Sequence, residues 1–134
     1  MSVAVAHQVS PNAGLTLLQG AREAVLRQTN LVVLHVTDTL DLDKAEAQRA
    51  GVSDEVDKVI VEGGFSDLSW DVHLSTGNDD VAGTVVELAA KLEAEILVIG
   101  ARRRSPIGKF LLGSSAQSMI LEAEMPVLVV KPPA

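Results

Sequence analysis

The chain contains no cysteine, which excludes a disulfide framework, a thiolate nucleophile and cysteine-based metal sites, and fits a reducing compartment. It also has no tyrosine, only one tryptophan and two phenylalanines. The core must therefore be packed by aliphatic side chains, and no aromatic platform is available for stacking exposed bases. Positive charge is scarce, with 11 Lys and Arg against 18 Asp and Glu for a net charge of −7. That is the reverse of the balance needed to neutralise a phosphate backbone, so nucleic acid is not an expected partner. No apolar run approaches the roughly 20 residues needed to span a bilayer. The opening MSVAVAHQVSPN lacks the basic n-region and long apolar core of a secretory signal. The expectation is a cytoplasmic protein without a membrane partner.

What is present is an aliphatic chain of 134 residues, 47% hydrophobic and 22% charged, with the length and apolar content of a single domain over 1–134. Its charge is unevenly placed. Residues 37–67 hold nine acids against three bases, whereas Arg102, Arg103, Arg104 and Lys109 form a basic island with no acid between Ile96 and Leu121.

Hydrophobic periodicity divides the chain into alternating elements. A β-branched run from Val3 to Val9 is broken by Ser10, Pro11 and Asn12, and Leu15, Leu18, Ala21 and Val25 then mark one helical face. Leu31 to Val36 reads LVVLHV, the nearly unbroken apolar run of a strand buried on both faces of a parallel sheet. Residues 37–50 are acidic and weakly patterned; Ser53, followed by Asp54 and Glu55, is the expected N-cap of a short or broken helix that Gly63-Gly64 closes. A third strand, Trp70 to Leu74, ends at Gly77-Asn78, and a helix follows through Val81, Val85, Leu88 and Leu92 up to Ala94. EILVIG, Glu95 to Gly100, is a fourth strand, followed by a loop of about a dozen residues, a helix through Ala116, Met119, Ile120 and Ala123, and a last strand VLVV at Val127 to Val130. This order predicts an α/β fold, an open doubly wound parallel sheet with helices on both faces.

Ligands of such sheets lie beyond the carboxyl ends of the strands, where strand order reverses. The segment after the fourth strand reads GARRRSPIGKFLLGSS from Gly100 to Ser115. Gly100 allows close approach of backbone to a ligand, and Gly113, Ser114 and Ser115 open a helix whose N–H groups and hydroxyls suit phosphate. Taken alone, Gly113 and Ser114 read more readily as an ordinary loop closing on a capped helix with no ligand. The arginine run reads either as a phosphate contact, or as a solvated loop or a partner of the acidic stretch at residues 37–67. His7, His35 and His73 stand singly in strands and are expected to be structural. Asp79 and Asp80 are expected to serve a helix dipole rather than a metal. No G-x-S-x-G elbow, G-x4-G-K-[ST] loop or H-E-x-x-H pair occurs, so no catalytic or metal-binding residue is assigned.

The spacing of Gly100, Arg103, Gly113 and Ser114 resembles the pattern G-x2-G-x9-G-[ST] of universal stress proteins, with Arg103 standing at the second glycine. LVVLHV, EILVIG, the helix after GSSAQ and the ending PVLVVKP are similar to that family in order and spacing, so the resemblance covers nearly the whole chain. It implies a five-stranded, Rossmann-like sheet of order 3-2-1-4-5. It also implies a small regulatory module of stress response, not an enzyme, that binds ATP or another adenine nucleotide between strands one and four. Phosphates would rest on Gly113, Ser114 and Ser115 with Arg102 or Arg103 nearby, the ribose beside Gly100, and adenine near Val36, Ala6 and His7. Ala6 and His7 stand where the family usually has an acid. That departure and Arg103 support a second reading, a nucleotide-free dimeric interaction protein of the same family. A hydrolase or transferase has the least support. In either of the first two readings Val127 to Val130 lies at a sheet edge, and a homodimer through this strand is expected.

Overall fold

A computed structural model describes residues 1–76, 80–104 and 109–133, with backbone alone at 103, 104, 109 and 110. The elements run β1 (Ser2–His7), α1 (Ala13–Leu26), β2 (Asn30–Thr37), α2 (Leu42–Glu62), β3 (Trp70–Thr76), α3 (Val81–Lys91), β4 (Ala94–Gly100), β5 (Arg102–Arg104), β6 (Lys109–Leu111), α4 (Ser114–Glu122) and β7 (Val127–Val130). Five strands form one sheet in the order β3-β2-β1-β4-β7, with every pairing parallel. With β7 as the fifth strand of this sheet, that is the order 3-2-1-4-5.

Strand alternation explains why the runs are apolar throughout. Val3 and Val5 of β1, Leu31 and Val33 of β2 and Ile96 and Val98 of β4 meet Leu17, Ala21 and Ala24 of α1 and Val52, Val56 and Ile60 of α2. The intervening residues Ala4, Val32, Leu34, Leu97 and Ile99 meet Ala82, Val85 and Ala89 of α3 and Met119 of α4. A strand covered on both faces has no position left for a polar side chain until it reaches an end.

Four local expectations are corrected. β1 stops at His7, and Val9 lies beyond it in the loop, 88% exposed. The second helix is neither short nor broken: α2 runs unbroken through Ser53 from an N-cap at Asp41, whose carboxylate accepts from the Asp43 and Lys44 amides. Gly63 and Gly64 do end it, Gly64 at φ 76°. The stretch after β4 is not a plain loop, because β5 and β6 pair antiparallel, with Arg102 opposite Leu111. His7 and His35 are not isolated from one another, as described below. The expected strand end at Gly77-Asn78, and Asp79, lie outside the described residues, while Asp80 caps α3 by accepting from the Gly83 amide.

Candidate functional site

β1 sends the chain to α1 on one face and β4 sends it to α4 on the other. The strand order reverses between them, so the two connections part and leave a crevice over their carboxyl ends. A cleft of about 480 Å³ fills it, walled by β1 and the following loop, by Ile99 to Arg102, and by Gly113 to Ala116 with Met119.

Each wall has a local cause. Gly113 is the N-cap of α4, at φ −66° and ψ 166°, and no side chain caps the helix there. The positive end of the helix therefore faces the cleft, with Ser114 and Ser115 on its first turn. The β5–β6 hairpin folds Arg102 back beside this turn. Its guanidinium lies 3.9 Å from where a Cβ on Gly113 would stand. Gly100 also makes room for the fold itself, since a Cβ there would come 2.7 Å from Thr16 Oγ1. The missing side chain lets α1 seat Thr16 over the end of β4, where it lines the same cleft.

Ala6, His7, Gly100, Arg102, Gly113, Ser114 and Ser115 thus line one cleft. Val36 does not; it lines an adjoining cleft of about 610 Å³ with His35, Gln48, Glu55 and Val81, and the two clefts share His7 and Val9. The Arg103 backbone lies in β5, opposite Phe110, and its side chain is outside the described set, as is that of Arg104.

The sequence reading missed a polar cluster between the clefts. His7 and His35 are register partners on β1 and β2. Their Nδ1 atoms are 2.9 Å apart, and His7 Nε2 hydrogen-bonds the Glu55 carboxylate on α2. His7 is 7% exposed. The signal was parity: His7 and His35 each follow a core residue by two, Val5 and Val33, and so share the α1–α2 face. Gln48, on α2, brings a buried Oε1 with no hydrogen-bond partner to the same cleft. Burial, followed by the charge of His7, pushes the His35 imidazole below its ordinary value of 6.5. Among the described residues no His, Cys, Asp and Glu cluster could hold a metal ion, and no helix is long and apolar enough to cross a membrane.

The sheet order and the crevice at its reversal define a doubly wound α/β protein with a cleft at its switch point. A sequence profile of the universal stress protein family matches residues 1–131. A universal stress protein of Mycolicibacterium smegmatis is 32% identical, the match covering 97% of each chain. The chain belongs to the universal stress protein family. Two solved structures from Archaeoglobus fulgidus superpose over 98% of both chains with a TM-score of 0.77: a universal stress protein at 27% identity, and one in complex with dAMP at 29%.

Proposed function

We propose that this chain is a small regulatory module of stress response that binds an adenine nucleotide weakly in the crevice between β1 and β4, and that it signals by occupancy rather than by turnover. One observation carries the reading: the uncapped N-terminus of α4 and the Arg102 side chain converge on Gly113 at the mouth of a cleft. Helix dipole, free amides, hydroxyls and guanidinium are all anion ligands, and here they share one wall. Phosphates rest on Gly113, Ser114 and Ser115 in this reading, the ribose beside Gly100, and the base toward Val36 across the shared His7 and Val9. The 29% identical relative in complex with dAMP supports an adenine ligand, and the reading takes the protein to be cytoplasmic.

A second reading, a nucleotide-free interaction protein of the same family, draws on the end of β1. β1 itself ends without an acid, and His7 is already engaged by His35 and by the Glu55 carboxylate, so one hydrogen bond to a base or ribose is missing. Such a bond contributes about 1 kcal/mol, close to tenfold in affinity. An Arg102–phosphate pair is charge-assisted and contributes about as much or more, which favours the nucleotide.

Calorimetry with ATP, AMP and cyclic AMP at low salt tests this. At least one is expected to bind below millimolar concentration, and Gly113→Val is expected to weaken it at least tenfold, about 1.4 kcal/mol. The backbone of Gly113 is extended and its Cβ would make only ordinary contact with Arg102, so the variant folds and fills the phosphate position. Refusal of all three nucleotides at millimolar concentration establishes the second reading. Unchanged affinity in Gly113→Val moves the site elsewhere.

A further inference from the structure

His7 stands in the wall between the two clefts with both ring nitrogens occupied, Nε2 by Glu55 and Nδ1 by His35. The ring centroids of His7 and His35 are 5.0 Å apart and their planes are inclined at 52°, which suits an in-plane contact between the facing nitrogens rather than stacking. An Nδ1 to Nδ1 hydrogen bond holds one proton. A further proton taken up by His35 makes that ring an imidazolium and adds one positive charge to the wall.

Among the described residues, few other charges face this pair. From α2 there is Glu55; Arg49 on the same helix is turned away to the Val72 carbonyl and to Glu46. Beyond the end of β2 there is Asp38, on the rim of the second cleft. From β3 the register neighbour of His35 is Leu74, while Asp71 and His73 pair with each other and, by strand alternation, lie on the opposite face. α3 contributes the apolar Val81, and the Asp80 carboxylate is held by the Gly83 amide. The β1–α1 segment from Gln8 to Thr16 carries no charge. Across the first cleft stands Arg102.

We propose that His7, His35 and Glu55 form a proton-responsive cluster that sets the charge of the wall between the clefts, so that the crevice holds an anionic ligand more tightly as pH falls. This rests on the crevice being the ligand site, and makes pH a regulator of it. The cluster spans three elements, with His7 buried and His35 and Glu55 half-buried, so its protonation is felt at the wall of the crevice. Burial and the charge of His7 hold His35 below 6.5, while a hydrogen bond with the His7 backbone and the Glu55 carboxylate act in the other direction. His35 is therefore neutral at pH 7 and takes up its proton as pH falls below 6.5. An anion beside the wall raises that midpoint. By reciprocity, the proton raises affinity for the anion by the same factor.

Histidine NMR from about pH 5 to 8 on the wild-type protein tests this, with chloride, sulfate or cyclic AMP at constant ionic strength; neither of the last two changes its own charge in this range. The His35 resonances are expected to titrate below 6.5. Sulfate or cyclic AMP should raise the midpoint by about 0.5, a roughly threefold tighter hold on the anion by the protonated form. His7→Asn should raise the His35 midpoint and Glu55→Gln should lower it, opposite shifts that a loss of structure would not produce. If calorimetry detects no nucleotide while sulfate still raises the midpoint, the nucleotide reading falls and the proton-linked crevice stands. If neither variant moves the His35 midpoint, or no anion does, the proposal is overturned, whatever nucleotide binds.

Discussion

Gly20 sets how closely α1 approaches the sheet. A Cβ added there would lie 2.3 Å from Val5 Cγ2 and 3.3 Å from Leu31 Cδ1, and both of those residues are fully buried. Two effects oppose each other in Gly20→Ala. Alanine improves helix propensity by about 1 kcal/mol, whereas overpacking a filled core costs about 1–3 kcal/mol. A 2.3 Å approach to a side chain enclosed on all sides belongs at the upper end of that range. The variant is therefore expected to be less stable by about 1–2 kcal/mol, read as a lower urea midpoint with an unchanged denaturant slope; a gain in stability would mean that α1 slides outward freely. Gly100 follows the same logic through Thr16. A glycine beside a ligand cleft reads in sequence as room for the ligand. Here its immediate effect is to let a helix side chain close over the strand end.

α2 separates two signals that a helix start can give. Asp41 accepts hydrogen bonds from the Asp43 amide at 2.9 Å and the Lys44 amide at 3.2 Å, while Ser53 lies mid-helix. Asp41→Ala is expected to cost about 1 kcal/mol, within the usual range of about 0.5–2 for a lost cap. Ser53→Ala is expected to be neutral or to gain a few tenths of a kcal/mol, roughly the difference in helix propensity. Chemical denaturation of the two variants measures both, and the reverse order would mean a helix that begins at Ser53. The strands were legible in the sequence because a parallel sheet covered on both faces demands apolar runs such as LVVLHV. The first half of α2 was not, because its buried residues begin only at Val52 and its earlier turns are held by the Asp41 cap and by the Arg49 guanidinium on the Val72 carbonyl. The Gly113-Ser114 wall of the site was visible as a local pattern at a helix start. The cluster of His7, His35 and Glu55 was not, since those contacts join residues 28 and 48 positions apart. The β5–β6 hairpin, which brings Arg102 to the cleft, is three residues a strand, too short to show a period.

At the scale of the molecule the two edges of the sheet differ. β3 carries the Asp71 carboxylate, 3.4 Å from His73 Nε2 on the strand itself, and charged side chains keep an edge from pairing with another chain. β7 carries only valines and a leucine, half-buried from Val127 to Val129. The Pro126 and Val130 carbonyls accept from the Leu97 and Ala101 amides on the β4 side. By strand alternation Val127 and Val129 turn their own N–H and C=O groups toward the open edge. An apolar edge with outward donors and acceptors suits pairing with its own copy, because a two-fold contact needs one self-complementary patch. We therefore predict a homodimer joined antiparallel through β7. Val129→Pro removes an outward donor without touching the β4 ladder, and proline is tolerated on an edge strand. Light scattering at micromolar concentration should give twice the chain mass for the wild type and the single-chain mass for Val129→Pro, with its circular dichroism unchanged. A monomeric wild type, or a folded Val129→Pro that keeps the doubled mass, would show that β7 is not where two copies meet.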